Sequence, residues 1–212
     1  MTPTRVLAIT ALALLALAGV QAAHADTLKV TVAGVDKDLA SAIRANLSAS
    51  QYADRKDVSA TQARVIANDA RKQAATALQP YGYYNAKVES DLTRSGSEWT
   101  LHLKITPGPA TKVATLDLQM PDIAMKLAPV RHAVHAFHPR VGEQMNDSTY
   151  EGSKGTIASA MLETGWLDAK ATEHKVAVTR ADNRAAIHLH YKVGERYKLG
   201  VVSFKGSQFK PG

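Results

Sequence analysis

Apolar side chains occupy every second position in four segments of this chain, and polar side chains fill the positions between them. A period of two predicts β-strands with one buried face and one wet face, as in a sheet covered on one side only. The apolar positions are Leu28, Val30 and Val32, then Trp99, Leu101, Leu103 and Ile105, then Leu116, Leu118 and Met120, then Ile187, Leu189, Tyr191 and Val193.

Between the first two strand segments, apolar residues recur at helical spacing, which predicts helices there. One helix is predicted from Asp36 to about Ser50. Ser59 followed by Gln62 is a capping box, which predicts the start of a second helix that ends near Leu78. Pro80 and Gly82 then stop that helix. Its buried face is predicted to carry Ile66, Ala70, Ala74, Ala77 and Leu78.

The same order of helices follows the Leu116 segment. A helix is predicted over 124–137, ending before Pro139. Ser148 with Glu151 forms another capping-box pattern, which predicts a helix that runs to about Glu163 and stops at Gly165.

Two short segments repeat each other. Tyr81–Val88 reads YGYYNAKV and Thr164–Ala171 reads TGWLDAKA, and their glycines lie 83 residues apart. A second pair of landmarks lies in Lys104–Pro109 and Tyr191–Arg196, where Ile105 and Tyr191 are 86 residues apart, so the second hairpin carries about three extra residues. Self-similarity at this spacing indicates tandem modules rather than one larger domain.

Each repeated segment follows a predicted helix and precedes two strand-like segments, so each module has the order strand, helix, helix, strand, strand. The predicted fold class is α+β, with a three-stranded mixed sheet and two helices on one face. The predicted divisions are residues 26–109, residues 110–196 and a truncated third module at 197–212 that contributes only its first strand. The linkers Pro107–Ala110 and Gly194–Arg196 are short and predict a semi-rigid arm.

The N-terminal segment has the pattern of a secretory signal peptide. Arg5 precedes an apolar run over 6–20, and Ala23-His24-Ala25 supplies the small residues that a signal peptidase needs. Cleavage is predicted between Ala25 and Asp26, which sets residues 1–25 apart from the fold. A membrane anchor is the alternative, although the run is shorter than the roughly 20 residues that span a bilayer.

Composition narrows the function classes. Cysteine is absent, so no disulfide framework holds the exported chain together. The net charge is +7, but the basic residues are scattered, which argues against nucleic-acid binding. A basic soluble surface is favoured over attraction to anionic lipid headgroups.

Candidate chemistry is sparse. His132, His135 and His138 recur every three residues and could ligate zinc, but no nearby Cys or carboxylate completes a site. His188 and His190 share the outer face of a strand, as a pH-sensitive patch or as ordinary wet residues. The glycines and lysine at 152–155 lack the Walker spacing. No nucleophile, base and acid have motif context, so neither an enzyme nor a cofactor is predicted.

The predicted order of elements and the residues of the module junction resemble a known family. The order resembles the POTRA domain, the periplasmic repeat of Omp85-type outer-membrane assembly proteins. Residues 193–206 resemble the family's junction between successive domains, and the YGYY segment is similar to the first POTRA domain of the TamA family. The residues of the junction motif are Gly108, Gly194, Tyr197, Phe204 and Gly206.

The resemblance implies a non-enzymatic, periplasmic arm at the outer membrane of a Gram-negative bacterium. It implies a role in outer-membrane β-barrel and autotransporter assembly, with unfolded clients and a TamB-like inner-membrane partner. The family continues into a β-barrel in the outer membrane, so a chain ending at Gly212 is expected to be a fragment. BamA-like proteins and two-partner secretion transporters are alternatives within the superfamily, and a periplasmic metal-binding protein is a distant one.

The resemblance also implies that the second strand of each module lies at a sheet edge, over 86–93 and 170–179. An extended partner can join such an edge as an added strand. Charges on an edge also serve to block aggregation, and that alternative stays open. The candidate binding residues are Ala86, Lys87, Val88, Glu89, Ser90, Asp91, Lys170, Ala171, Thr172, Glu173, His174, Lys175 and Val176.

Overall fold

A computed structural model describes residues 26–53, 55, 57–198 and 200–201. Within them the chain forms two successive units, each a three-stranded sheet with helices. The first unit contains β1 (Thr27–Ala33), α1 (Lys37–Ala45), α2 (Ala60–Ala77), β2 (Lys87–Ser95) and β3 (Glu98–Thr106). The second unit contains β4 (Lys112–Gln119), α3 (Asp122–Met125), α4 (Ala128–His135), α5 (Asp147–Glu163), β5 (Lys170–Thr179) and β6 (Arg184–Lys192).

Both sheets have the same topology. In the first unit the order is β1-β3-β2, with the central strand β3 parallel to β1 and antiparallel to β2. In the second unit the order is β4-β6-β5, with the corresponding parallel and antiparallel pairs. The predicted α+β class with mixed three-stranded sheets is confirmed.

The buried face of each sheet is the one that the alternation predicts. All four predicted apolar positions of β3 are buried, and so are those from Ile187 to Val193. The predicted face of α2, from Ile66 to Leu78, is buried against the first sheet. Each unit thus has its own apolar core, and the polar residues of the central strands lie on the opposite sheet face.

Two of the predicted helix starts are confirmed. The Asp36 carboxylate accepts a hydrogen bond from the Leu39 amide at 2.8 Å and caps α1. The Ser59–Gln62 capping box is complete, since the Gln62 amide donates to the Ser59 hydroxyl while the Ser59 amide donates to the Gln62 side chain. These pairs satisfy amides that have no partner inside the helix.

The end predicted for the first helix is wrong. Helix α1 ends at Ala45, and Leu47 adopts an extended conformation with its side chain buried. A short 3-10 helix over Ser48–Tyr52 follows. The chain leaves the helix early because Leu47 then reaches the core, where its burial is more favourable than another exposed helical turn.

The single helix predicted over 124–137 is also wrong. The structure has two helices, α3 and α4, separated at Leu127, whose backbone is extended. Pro129 explains the break, because proline lacks an N–H and clashes with the preceding turn inside a helix. It lies instead in the first turn of α4, where that N–H would have no partner anyway. His138 lies beyond the end of α4, so the three histidines do not share one helix.

The capping box predicted at Ser148 is wrong as well. Helix α5 begins at Asp147, and the Asn146 side chain accepts the Thr149 amide at 3.0 Å. Asparagine is a strong N-cap residue, and its position two residues earlier leaves Ser148 inside the first turn. Among the described residues, none of the helices combines the length and the apolar character needed to cross a membrane.

Candidate functional site

The predicted binding strands are outermost in their sheets. Residues 87–91 belong to β2, residues 170–176 belong to β5, and Ala86 lies just before β2. Strand β2 also extends two residues further than predicted, to Ser95. The opposite edges are formed by β1 and β4, so each sheet has two edge strands in the part of the chain that the structure describes.

Strand β2 is a regular edge. Its pairing with β3 runs from Lys87↔Thr106 to Ser95↔Glu98 without a register shift. Val88 and Leu92 face the core but are only half-buried, because no further strand covers them. On the other face, the Glu89 carboxylate lies 3.7 Å from the Lys104 ammonium, and both side chains are about three-quarters exposed. Such an exposed ion pair contributes little stability.

Strand β5 is an irregular edge. Ala171 pairs with Tyr191 and Glu173 pairs with His190, so Thr172 forms a β-bulge. A bulge bends and twists an edge strand and interrupts its ladder. Of the two predicted edges, β2 therefore presents the more regular row of backbone donors and acceptors.

The start of the β4 edge is covered by the segment before α5. The Val113 amide donates to the Glu143 carbonyl at 2.9 Å, and the Gly142 amide donates to the Val113 carbonyl at 2.8 Å. The Arg140 amide and the His138 ring hold the Glu143 carboxylate and lower its pKa, with the amide as the larger cause. This loop leaves less of β4 open to a partner.

The two units are joined by specific hydrogen bonds. The Thr111 amide, directly after the linker, donates to the Gly82 carbonyl at 2.8 Å. The Gln144 side chain of the second unit donates to the Tyr81 carbonyl at 2.7 Å. We call residues 81–85, together with these partners, the junction.

The long β5–β6 hairpin completes the junction. The Asn85 side-chain amide donates to the Arg180 carbonyl at 2.6 Å and to the Asn183 side chain at 2.9 Å. Asn183 has a φ of 52°, a left-handed conformation that asparagine tolerates better than most residues. The extra hairpin residues detected in the sequence thus reach back to the first unit.

Two residues of the YGYY segment bring the units close together. Gly82 has a φ of 84°, and a Cβ atom built on it would overlap the Met145 carbonyl of the second unit. Burial raises the pKa of Tyr84, and Asp147 of the second unit raises it further. Tyr83 packs against the core of the first unit and Trp166 lies in the core of the second, whereas Tyr84 lies at the junction.

The end of the second unit has a hydrogen bond that corresponds to the one between Thr111 and Gly82. The Tyr197 amide donates to the Gly165 carbonyl at 2.8 Å, as Thr111 does to Gly82. The Tyr197 hydroxyl also donates to the Asp168 carboxylate at 2.9 Å. Gly108 and Gly194 both have positive φ, 73° and 68°. The other motif residues, Phe204 and Gly206, lie outside the described residues, as does Ala25 of the predicted cleavage site.

The histidine-based metal site finds no support in the structure. Across the described residues, no group of three or more histidine, cysteine or acidic side chains is arranged to hold a metal ion. The His138 ring contacts the Glu143 carboxylate at 2.8 Å. Gly152 and Gly155 lie inside α5.

Comparison with known protein families gives a match that lies within the first unit. Residues 29–107 match the family described as POTRA domain, TamA domain 1. The first unit is therefore similar to a POTRA domain. The matched range begins in β1 and ends just past β3, so it includes most of β1, all of β2 and β3, and both helices of the first unit. The resemblance inferred from the YGYY segment and the order of elements is confirmed.

Solved structures of POTRA domains are similar to this chain. POTRA domains 3–5 of Haemophilus influenzae BamA match with a TM-score of 0.43 and 14% identity, over 81% of this chain and 67% of that one. POTRA domains 1–3 of Anabaena Omp85 match with a TM-score of 0.36 and 9% identity, over 77% and 59%. Haemophilus ducreyi BamA lacking POTRA domains 1–3 matches with a TM-score of 0.38 and 15% identity, over 79% and 29%.

Proposed function

We propose that this chain is the periplasmic, protein-binding arm of an outer-membrane machine that assembles β-barrel proteins and autotransporters. The match of its first unit to TamA domain 1 supports this proposal. The observation that carries it is the regular, uncovered edge of β2, which lies within that matched unit. Its unpaired backbone groups can accept an extended polypeptide as a fourth strand.

The side chains of β2 fit a client with alternating apolar and polar residues. Val88 and Leu92 are half-buried toward the core, so apolar side chains of an added strand would extend the core past them. The opposite face carries Lys87, Glu89 and Asp91, which tolerate polar neighbours of either charge. Main-chain pairing supplies affinity with little sequence preference, which suits a machine with many unfolded clients.

The junction makes the arm stiff enough to hold such a client in place. Residues 81–85 form hydrogen bonds with three separate segments: Thr111 after the linker, the loop before α5, and the β5–β6 hairpin. In this proposal the arm extends from the outer membrane toward a TamB-like partner in the inner membrane. Residues 1–25 direct export and are removed before Asp26, which N-terminal sequencing of the periplasmic protein would test.

We also propose that a third module begins near Lys198. The shared hydrogen bond to Gly82 and to Gly165 supports this proposal, because in the first case the next strand starts one residue later. Leu162, Leu167 and Tyr197 are more than half exposed around the second bond. A following module would cover these apolar side chains.

A photocrosslinking experiment tests strand addition at β2. A photoreactive residue at Asp91, at the exposed edge, should form adducts with client proteins in cells. The same residue at Thr156, on the exposed side of α5 in the other unit, is the control and should form few. Equal labelling at both positions, or none at Asp91, would count against the proposal.

Proline substitution distinguishes main-chain hydrogen bonding between β2 and a client strand from a client that only lies near β2. Successive amides of an edge strand point alternately toward the neighbouring strand and away from it. One of Ser90→Pro and Asp91→Pro therefore removes only an outward donor and should leave the first unit folded. That variant should lose client crosslinking from a probe at Glu89. Full crosslinking by the folded variant would exclude main-chain pairing at this site.

A further inference from the structure

The free backbone groups of the β2 edge belong to residues whose side chains face the helices. The Thr27 amide of β1 donates to the Ser97 carbonyl at 2.9 Å, and this bond fixes which residues of β3 pair with β1. Amide and carbonyl groups of successive residues in a strand point to opposite sides, so the intervening residues of β3 bond to β2. Their register with β2 leaves the backbone groups of Val88, Ser90 and Leu92 pointing outward. The side chains of these three residues are half-buried on the face that α2 covers.

Helix α2 lies over β2 with one of its sides toward the open edge. Its buried residues pack on the first sheet, mainly against β2. The Gln73 side chain accepts a hydrogen bond from the Ser48 amide at 2.9 Å, so this side of α2 faces the 3-10 helix. Lys72 lies on that side as well, in a groove with Gln73 and with Asn46 just past the end of α1. The opposite side of α2 therefore borders the edge of β2.

Two arginines occupy the side of α2 that borders this edge. Arg71 precedes Gln73 by two residues, which places it about 200° away around the helix, and Arg64 lies about two turns before Arg71. Both arginines are exposed. Their neighbours one turn away along α2 are alanine, threonine and asparagine, so no acid at helical spacing pairs with them. The groove between α2 and the β2 edge thus carries two positive charges.

The charged residues of β2 itself lie elsewhere. Lys87, Glu89 and Asp91 are on the opposite face of the sheet from α2. Arg94, near the end of β2, donates to the Asp26 carboxylate at 2.7 Å and is held by that contact. An added strand would therefore meet the two arginines of α2 on its helix-facing side, and the mixed charges of β2 on its other side.

We propose that Arg64 and Arg71 select extended segments that carry acidic side chains on the face turned toward α2. This inference rests on the strand addition proposed for β2 and names the chemistry of the client. A client residue paired with Ser90 has its side chain on the helix side, next to the one polar position between Val88 and Leu92. A carboxylate there can accept from the serine hydroxyl and from a guanidinium, which binds carboxylates through two parallel hydrogen bonds. Backbone pairing alone gives no such preference.

Three fluorescent peptides test this selection by their anisotropy on binding to the intact chain. Each peptide alternates valine and threonine, and they differ only in a central valine that is replaced by glutamate, glutamine or lysine. The glutamate peptide should bind about 3- to 5-fold more tightly than the glutamine peptide, as expected for a partly exposed ion pair. The lysine peptide should bind more weakly than the glutamine peptide. Added salt should reduce both differences, because it screens exposed charges.

Arg71→Glu and Lys72→Glu are a matched pair of variants. The two residues are adjacent and exposed, and both substitutions make the same change of charge, but the side chains lie on opposite sides of α2. Arg71→Glu should reverse the order of the glutamate and lysine peptides, whereas Lys72→Glu should preserve it. Arg64→Glu should act in the same direction as Arg71→Glu. All three positions are on the surface, so the variants should fold, which the fluorescence of buried Trp99 would verify.

Ser90→Pro distinguishes the two proposals, because it removes an outward amide of β2 and should abolish binding of all three peptides. If no peptide binds, or if Ser90→Pro leaves binding unchanged, strand addition at β2 is refuted and the acidic preference is refuted with it. If the peptides bind through β2 with equal affinities, or if Arg71→Glu behaves as Lys72→Glu does, only the acidic preference is overturned and strand addition stands.

Discussion

Replacing Gly82 with alanine should weaken the junction between the units. A left-handed φ of 84° costs a residue with a Cβ atom about 1 kcal/mol. The new methyl group would also overlap the Met145 carbonyl, so the second unit must move away. That movement breaks the hydrogen bonds from Thr111 to Gly82 and from Gln144 to Tyr81, each worth about 1 kcal/mol. The expected total loss is about 3 kcal/mol, counting these effects together.

Gly96 provides a matched control. It has a φ of 59° in the β2–β3 hairpin, and no atom lies within 4 Å of a Cβ built there. Gly96→Ala should therefore cost only the backbone strain, about 1 kcal/mol. The difference of about 2 kcal/mol between the two variants measures the close approach of the units.

Urea unfolding of single-tryptophan variants is the assay. Trp99 and Trp166 are both buried, one in each unit, so each reports the unfolding of its own core. Gly82→Ala should separate the two transitions and lower the sum of the unfolding free energies. Gly96→Ala should shift the first unit alone. If Gly82→Ala costs no more than Gly96→Ala, the junction does not couple the units and the reasoning fails.

Three further predictions concern single side chains. Asn146→Ala should destabilise the second unit by about 1 kcal/mol through loss of the α5 cap, while Ser148→Ala should cost little; urea unfolding distinguishes them. Burial raises the pKa of Tyr191 to about 12, whereas an unfolded tyrosine ionises near pH 10. The second unit should therefore lose about 2–3 kcal/mol as pH rises from 10 to 12, and Tyr191→Phe should remove that loss. Asp26 accepts hydrogen bonds from Arg94 and Trp99, so Asp26→Ala should destabilise the first unit by about 1–2 kcal/mol in the same assay. The control is Asp57→Ala, which removes only an exposed ion pair with Arg55. It should leave the urea midpoint of the first unit unchanged.

The strands and two of the four predicted helix starts could be predicted because they depend on local patterns. The alternation around Leu101 and Ile187 reports burial of one sheet face directly. The Ser59 cap also depends on residues only three positions apart. These features need no knowledge of the rest of the chain.

The wrong helix boundaries arose where the local sequence was compatible with more than one boundary. Asn146 and Ser148 are both suitable caps, and the choice depends on Met145, whose amide is bound to the Thr111 carbonyl beside β4. That contact spans more than thirty residues of sequence. At Pro129, by contrast, the signal was local, but helical periodicity on both sides concealed the break.

The candidate binding strands were predicted mainly from the resemblance to POTRA domains and less from the pattern of apolar and polar residues. Period two identifies strands but not their order, so the edge position of β2 and β5 followed from the family. The junction was beyond reach of the sequence, because Asn85 meets Arg180 and Asn183 across almost a hundred positions. In the sequence, only the extra length of the β5–β6 hairpin indicated that its loop could contact another part of the chain.

The parallel pairing of β1 with the central strand has a mechanical consequence. The chain enters the first unit at one end of the sheet and leaves along β3 at the other end. Each unit therefore adds nearly its own strand length to the reach of the chain, about 30 Å for nine residues. A pull between the two ends loads the β1–β3 hydrogen bonds together, in shear, rather than peeling them apart one by one. The same holds for β4 and β6, so in both sheets tension along the chain acts in shear on the whole row of hydrogen bonds.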